Sequence, residues 1–253
     1  MRDYESYLSE TVRTIKPSGI RRFFDLANDM EDVISLGVGE PDFDTPWHIR
    51  EAAIYSIESG KTHYTANQGL LSLREEICSY MKRRFHLEYD PNDNVIVTVG
   101  GSEGIDITLR AFVDIDDEVI LTQPSYVAYT PGVQLCKAKP VYVQLEEKDQ
   151  FKLTPEKLLG CYHTKIKSFI SINFPSNPTG GVMTKEDYEK LVPIIKEHEL
   201  IVISDEIYAE LTYDDSFYSL ANFDEIKDQV IIISGFSKSL CDDRMEIRVC
   251  PGK

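Results

Sequence analysis

A chain of 253 residues with 42% hydrophobic and 10% aromatic residues has the material for a sizeable core, which excludes a disordered chain and leaves room for one large domain or one and a half ordinary ones. Its formal net charge of -16 argues against a nucleic-acid partner, whose phosphates it would repel, and favours solubility. The five cysteines, Cys78, Cys136, Cys161, Cys241 and Cys250, are scattered without a CxxC pair, which speaks against a disulfide framework or zinc site and for a reducing cytoplasm.

The opening stretch, MRDYESYLSETVRTIKPSG, carries charges throughout and has no apolar h-region, so no signal peptide is expected. No stretch approaches the roughly 18 apolar residues of a membrane span. Residues 1–45 hold no strong strand and read as an arm leading to the main domain. Helical spacing follows at Trp47–Glu58, with Pro46 near its start, and at Leu70–Arg84. Runs rich in β-branched residues predict strands at Val95–Val99, Glu118–Thr122, Pro140–Val143, Ser168–Ile172, Leu200–Ser204 and Gln229–Ser234. The runs IVTV, VILT, FISI, IVIS and VIIIS barely alternate, as in strands covered on both faces. Further helices are predicted at Ser102–Val113, directly after Gly100 and Gly101, and at Thr184–His198, where Thr184 is a natural N-cap with acids in the first turn. Alternating strands and helices imply an α/β fold with a largely parallel sheet and helices on both faces. Such sheets bind ligands at the carboxyl ends of their strands.

Four segments just past strand ends carry candidate chemistry. Gly100-Gly101-Ser102-Glu103 opens a helix, and free N–H groups at a helix start attract an anion such as phosphate, although a Gly-Gly pair is also an ordinary turn. Asn173-Phe174-Pro175-Ser176-Asn177-Pro178-Thr179-Gly180 is a rigid polar loop whose Asn-Pro bond is a candidate for cis geometry, or simply a loop. Asp205 and Tyr208 could hydrogen-bond two sides of one heteroaromatic ring; the other reading has Asp205 capping a following helix. Lys238, in the Gly/Ser turn SGFSK, is placed for Schiff-base chemistry if partly desolvated, or is a solvated surface lysine.

Taken together the order SLGVGEPDFDTP, HYTANQG, GGSEGI, PSYVAY, NFPSNPTGG, SDEIY and SGFSK resembles the class I aminotransferases of the fold type I pyridoxal-phosphate enzymes, from about Ile34 to Lys238. The resemblance implies a three-layer α/β/α large domain over residues 46–253, with residues 1–45 as an arm and part of a small domain. It implies pyridoxal 5'-phosphate as cofactor, amino acids and 2-oxo acids as substrates, and a homodimer. By the same resemblance Lys238 would hold the cofactor as a Schiff base and move the substrate proton. Asp205 would pair with the pyridinium nitrogen, Tyr208 and Asn177 would bond the ring's phenolic oxygen, and Tyr126 would stack on its face. Gly101, Ser102 and Glu103 would offer backbone groups to the phosphate, helped by Ser237. Tyr64 would reach the phosphate of a neighbouring subunit's cofactor, and Gly39 would lie where the substrate carboxylate enters. Asp44, Trp47 and Glu206 are expected to be structural. Another reaction of the same fold, such as that of a β-lyase, is the rival chemistry, and an inactive gene fragment is the rival without chemistry.

The match breaks off after Lys238. The family continues to Met-Thr-Gly-Trp-Arg-x-Gly, whose arginine grips the phosphate, and its later residues supply most of the small domain and a second arginine for the substrate carboxylate. This chain reads Ser239-Leu240-Cys241-Asp242-Asp243-Arg244-Met245-Glu246-Ile247-Arg248-Val249-Cys250-Pro251-Gly252-Lys253. Read one nucleotide later, the codons from Cys241 permit Ala-Met-Thr-Gly-Trp-Arg-(Phe/Leu)-Gly-Tyr. The tryptophan is forced, because Met245 is ATG and the codon of Glu246 begins with G. The arginine then falls at position 246, eight after Lys238. A one-nucleotide frameshift close to Leu240 is therefore expected, with an impaired, C-terminally incomplete chain as its product. Asp242, Asp243, Arg244, Glu246 and Arg248 put too many charges in this stretch for a doubly covered strand.

Overall fold

A computed structural model describes residues 4–16, 19, 39, 43–162, 166–213, 217–239 and 246–249 of the chain, the last four and 166–168 by their backbone alone. Its helices are α1 (Glu10–Thr14), α2 (Trp47–Glu58), α3 (Leu71–Phe85), α4 (Gly101–Phe112), α5 (Tyr129–Leu135), α6 (Pro155–Cys161), α7 (Lys185–Glu197) and α8 (Phe236–Ser239). Its strands are β1 (Val95–Thr98), β2 (Glu118–Gln123), β3 (Lys139–Gln144), β4 (Ile166–Asn173), β5 (Ile201–Asp205), β6 (Val230–Gly235) and β7 (Glu246–Val249).

The strands form one sheet in the order β1-β7-β6-β5-β4-β2-β3. Pairs β2/β3, β2/β4, β4/β5 and β5/β6 are parallel, and β7 runs antiparallel to both β1 and β6. The unalternating apolar runs are explained by a core on each side of the sheet. Side chains alternate across a strand. Val230 and Ile232 of β6, Val202 of β5 and Ile120 of β2 join the core beneath α3, α6 and α7. Ile231 and Ile233, Ile203, and Val119 with Leu121 join the opposite core beneath α4 and α5. The result is a three-layer α/β/α body, as the sequence pattern predicts.

Local chemistry places the helices. Thr184 and Asp187 close a capping box at the start of α7: the Asp187 N–H donates to Thr184 Oγ1 at 3.3 Å and the Thr184 N–H to Asp187 Oδ2 at 3.0 Å. From there Tyr188, Leu191, Val192 and Ile195 recur on one buried face. Gly69, with φ of +90°, marks where backbone must pass close: a Cβ there would stand 2.7 Å from Val97 Cβ of β1.

The expectation that the charged tail forms no strand is corrected. Glu246–Val249 pairs through its backbone with Val95–Thr98 on one side and with Ile232–Gly235 on the other. Ladder hydrogen bonds are made by N–H and C=O groups whatever the side chain, and the facing edges of β1 and β6 would otherwise be left unpaired. Asp242, Asp243 and Arg244 lie outside the described residues, as does most of the arm between α1 and α2. No described helix is long and apolar enough to cross a membrane.

Candidate active site

The carboxyl ends of β4, β5 and β6 and the start of α4 converge on a cavity of about 290 Å3. Gly39, Gly101, Ser102, Tyr126, Asn177, Asp205, Tyr208 and Lys238 all line it, so eight residues singled out from the sequence meet in one place. They are spread over 200 positions of chain, from Gly39 to Lys238.

Each is placed by a local device. Gly100 caps α4 with φ of 90°, a conformation that favours glycine, and so aims the first turn of the helix at the cavity. As the first two residues of α4, Gly101 and Ser102 have no helical carbonyl one turn back for their N–H groups. Asp205 ends β5 and is buried. One of its oxygens accepts from the Ile207 N–H at 3.2 Å and the other from Tyr129 Oη at 2.5 Å. The reading of Asp205 as a helix cap gives way to this: its carboxylate turns over the local backbone, and the next short helical turn, Ala209–Leu211, is preceded by Tyr208 instead. Asn177 Nδ2 donates to Tyr208 Oη at 3.3 Å, and Lys238 Nζ donates to the Gly39 carbonyl at 3.0 Å. A Cβ on Gly39 would come within 4.0 Å of Tyr208 Oη, so Gly39, Tyr208 and Lys238 are near neighbours. The Asn177-Pro178 bond is cis, together with Gln123-Pro124 and Phe174-Pro175.

Three expected residues do not line the cavity. Glu103 lies outside it: its carboxylate closes on the Val99 N–H and its own N–H donates to the Gly100 carbonyl at 3.1 Å. Ser237 is buried inside the α8 turn. Tyr64 is fully exposed and does not line its own chain's cavity. Asp44 and Trp47, expected to be structural, both engage Arg50, by an ion pair of 3.5 Å and by a guanidinium 5.6 Å from the indole centroid.

Sequence reasoning missed Tyr129 and Asn173, which also line the cavity. Asn173 Nδ2 donates to the Asp205 carbonyl at 3.0 Å and its Oδ1 accepts from the Asn177 N–H at 2.8 Å, so it locks two site residues together. Tyr129 stands three positions after Tyr126, its ring edge-on to that of Tyr126 at 5.7 Å, and the second tyrosine of PSYVAY was the available signal. Burial and then the Asp205 charge hold the Tyr129 hydroxyl protonated, its pKa raised well above the usual value, so it is a committed donor. Tyr129→Phe should lower unfolding free energy by about 1.5–3 kcal/mol, the usual cost of losing a hydrogen bond to a buried charge. Denaturant titration at fixed pH reads it, and a loss under about 0.5 kcal/mol would mean that the pair contributes little.

Behind Asp205, burial pushes the Glu206 carboxyl up from 4.5 to about 7, against the stabilising donations of Ser219 and Ser204. In the unfolded chain the same group ionises at its ordinary value, so the folded form holds the proton longer. Stability from this group is then complete below pH 4.5 and is lost as pH rises toward 7, by roughly 3 kcal/mol at most. Glu210, held low by Arg84, acts in the opposite sense and only at more acid pH. Melting curves between pH 5 and 8 should fall in the wild type and flatten in Glu206→Gln; equal slopes would remove Glu206 as the cause.

A seven-stranded sheet with a carboxylate, a phenol–amide pair, a helix start and a lysine gathered at its strand ends is an α/β architecture with a pocket suited to a small polar ligand. The sequence profile of the family described as Aminotransferase class I and II matches residues 31–241, and the chain belongs to that family. It is 43% identical over 233 residues to an aspartate aminotransferase of Pyrococcus abyssi (strain GE5 / Orsay), covering 92% of this chain and 60% of that one. It is 40% identical over 233 residues to aromatic-amino-acid aminotransferase 2 of Thermococcus litoralis, with the same 92% and 60% coverage. Among solved structures, the aspartate aminotransferase of Thermus thermophilus with maleate superposes with a TM-score of 0.90 at 32% identity, over 99% of this chain and 65% of that one. The chain thus spans about 60% of the length of these curated relatives. The profile match ends at residue 241, beside the point where the shifted reading frame is expected to begin.

Proposed function

We propose that this chain carries the cofactor-binding part of a pyridoxal-phosphate-dependent aminotransferase, which moves an amino group between an α-amino acid and a 2-oxo acid. The observation that carries the reading is one cavity lined at once by Lys238, Asp205, the Tyr208–Asn177 pair, Tyr126 and the first turn of α4. That donor set fits the groups of a phosphorylated hydroxypyridine aldehyde. It offers an amine for the aldehyde, a carboxylate for the ring nitrogen, a phenol and amide for the ring hydroxyl, an aromatic wall for the ring face and helix N–H groups for the phosphate.

The cofactor, when bound, supplies an electron sink that stabilises negative charge at the substrate's α-carbon. The chain's own residues do the rest. Asp205, charged and shielded, favours a proton on the ring nitrogen, and Tyr129 and Ile207 hold its two oxygens in place. Lys238 Nζ would hold the cofactor's aldehyde and, as a free amine, would carry the α-proton. Gly39, with no side chain, leaves room beside Lys238 and Tyr208 for the substrate carboxylate. Ser102, Ile105 and Tyr126 also border a groove of about 1200 Å3, which gives the cavity a wide approach. Residues 46–253 read as the large domain and 1–45 as the arm. Exposed Tyr64 supports a homodimer in which it serves the partner's phosphate.

Adding pyridoxal phosphate to the purified chain and reducing with borohydride should label one peptide, the one containing Lys238. In a separate, unreduced sample, addition of an amino acid alone should convert bound cofactor to the pyridoxamine form, as transamination requires and a β-lyase would not. Labelling elsewhere, or no uptake, would overturn the reading.

A further inference from the structure

Glu206 directly follows Asp205 yet does not line the cavity. Successive side chains of extended backbone point to opposite sides. Asp205 faces the cavity, while Glu206, only 2% exposed, turns the other way, toward Ser219 and the field of the buried Tyr188 on α7. Its Oε1 accepts from Ser204 Oγ at 2.9 Å and from Ser219 Oγ at 2.8 Å, and the Leu220 N–H also donates to the carboxyl. Ser219 Oγ in turn accepts from the Ala221 N–H at 3.2 Å, so the carboxyl anchors the start of the helical turn Leu220–Asn222. The Glu206 N–H donates to the Ile233 carbonyl at 2.8 Å, carrying the β5–β6 ladder one step beyond Asp205. Ile233 itself lines the cavity and stands five residues before Lys238.

Three segments meet at this residue: its carboxyl ties the end of β5 to the turn Leu220–Asn222, which itself packs against β6, while its backbone N–H bonds the end of β6 directly. Among the described residues no cation pairs with it. A carboxyl buried without a cation is costly, and an apolar side chain of similar size would fill the space at less cost. Packing alone does not account for it.

We propose that Glu206 is a positioning residue, bracing from behind the strand ends that carry Asp205 and Lys238 so that the two keep a fixed separation across the cavity. Its functional meaning rests on the cofactor reading above; its geometry does not.

Hydrogen exchange on the cofactor-free chain tests the brace. Glu206→Ala should speed exchange about tenfold at residues 205–208 and 233–238 as well as at 217–223, because local opening frees all three segments. Glu206→Gln, which keeps an oxygen for both serines, should restore rates to within about threefold. Should Glu206→Ala fail to fold, Ser219→Ala removes one anchor and should give the same regional pattern at smaller amplitude. In a second measurement, pyridoxal-phosphate affinity should weaken about tenfold in the alanine variant and hardly in the glutamine variant. Acceleration confined to 217–223, or spread evenly over the chain, would overturn the brace. A wild type that takes up no pyridoxal phosphate, with the regional exchange pattern intact, would support the brace and sink only the cofactor reading.

Discussion

Lys238→Ala should abolish covalent capture of pyridoxal phosphate: after borohydride reduction the intact mass of the wild type rises by one cofactor and that of the variant does not change. The expectation follows from geometry. Lys238 Nζ reaches into the cavity, within 3.0 Å of the Gly39 carbonyl and on the same wall as Tyr208. Among the described residues no other lysine lines that cavity. In the proposed reading the same amine carries the proton, so whatever transamination the wild type performs should drop by roughly 100- to 10,000-fold, the usual worth of a positioned acid–base group. Capture of cofactor by the alanine variant, at any lysine and with turnover preserved, would show that Lys238 is a bystander.

Asp205→Asn should separate binding from chemistry. The amide keeps the shape and one oxygen acceptor, but it cannot sustain a proton on the ring nitrogen by opposing charge. Losing a charge-assisted hydrogen bond in a buried site costs about 1.5–3 kcal/mol, so cofactor affinity should fall roughly 10- to 100-fold. Turnover at saturating cofactor should fall by at least another 100-fold or so, because the electron sink depends on that proton. The variant also faces the Tyr129 hydroxyl at 2.5 Å with a neutral group in place of a carboxylate. Asp205→Asn with turnover within threefold of wild type would reduce Asp205 to an anchor for the Ile207 and Tyr129 contacts.

Most of the fold and many of the site residues were legible in the sequence because they rest on local rules. The six runs read as strands all form strands, with ends moved by one or two residues; in β2, β5 and β6 the signal is burial on both faces, which demands apolar residues at nearly every position, whereas β3 lies at the sheet edge and is largely exposed. Thr184 and Asp187 announce α7 by a bond between residues three apart. Apart from Gly39, the expected cavity residues lie at or just past strand ends, and parallel strands bring their carboxyl ends to one edge.

What only the tertiary structure decided depends on which strands are neighbours. The Tyr129–Asp205 bond joins positions 76 apart, Asn173 meets Asp205 across 32, and Ser219 reaches Glu206 around a turn that no pattern marks. No periodicity reports such pairs, because a hydrogen bond across a sheet is set by strand order and register rather than by composition. The same holds for β7: judged by its charges, Glu246–Val249 has no claim to a sheet, yet its backbone completes the ladder between β1 and β6. Residue chemistry thus chose the groups that could hold a ligand, and the order of the strands decided which of them hold one another in place.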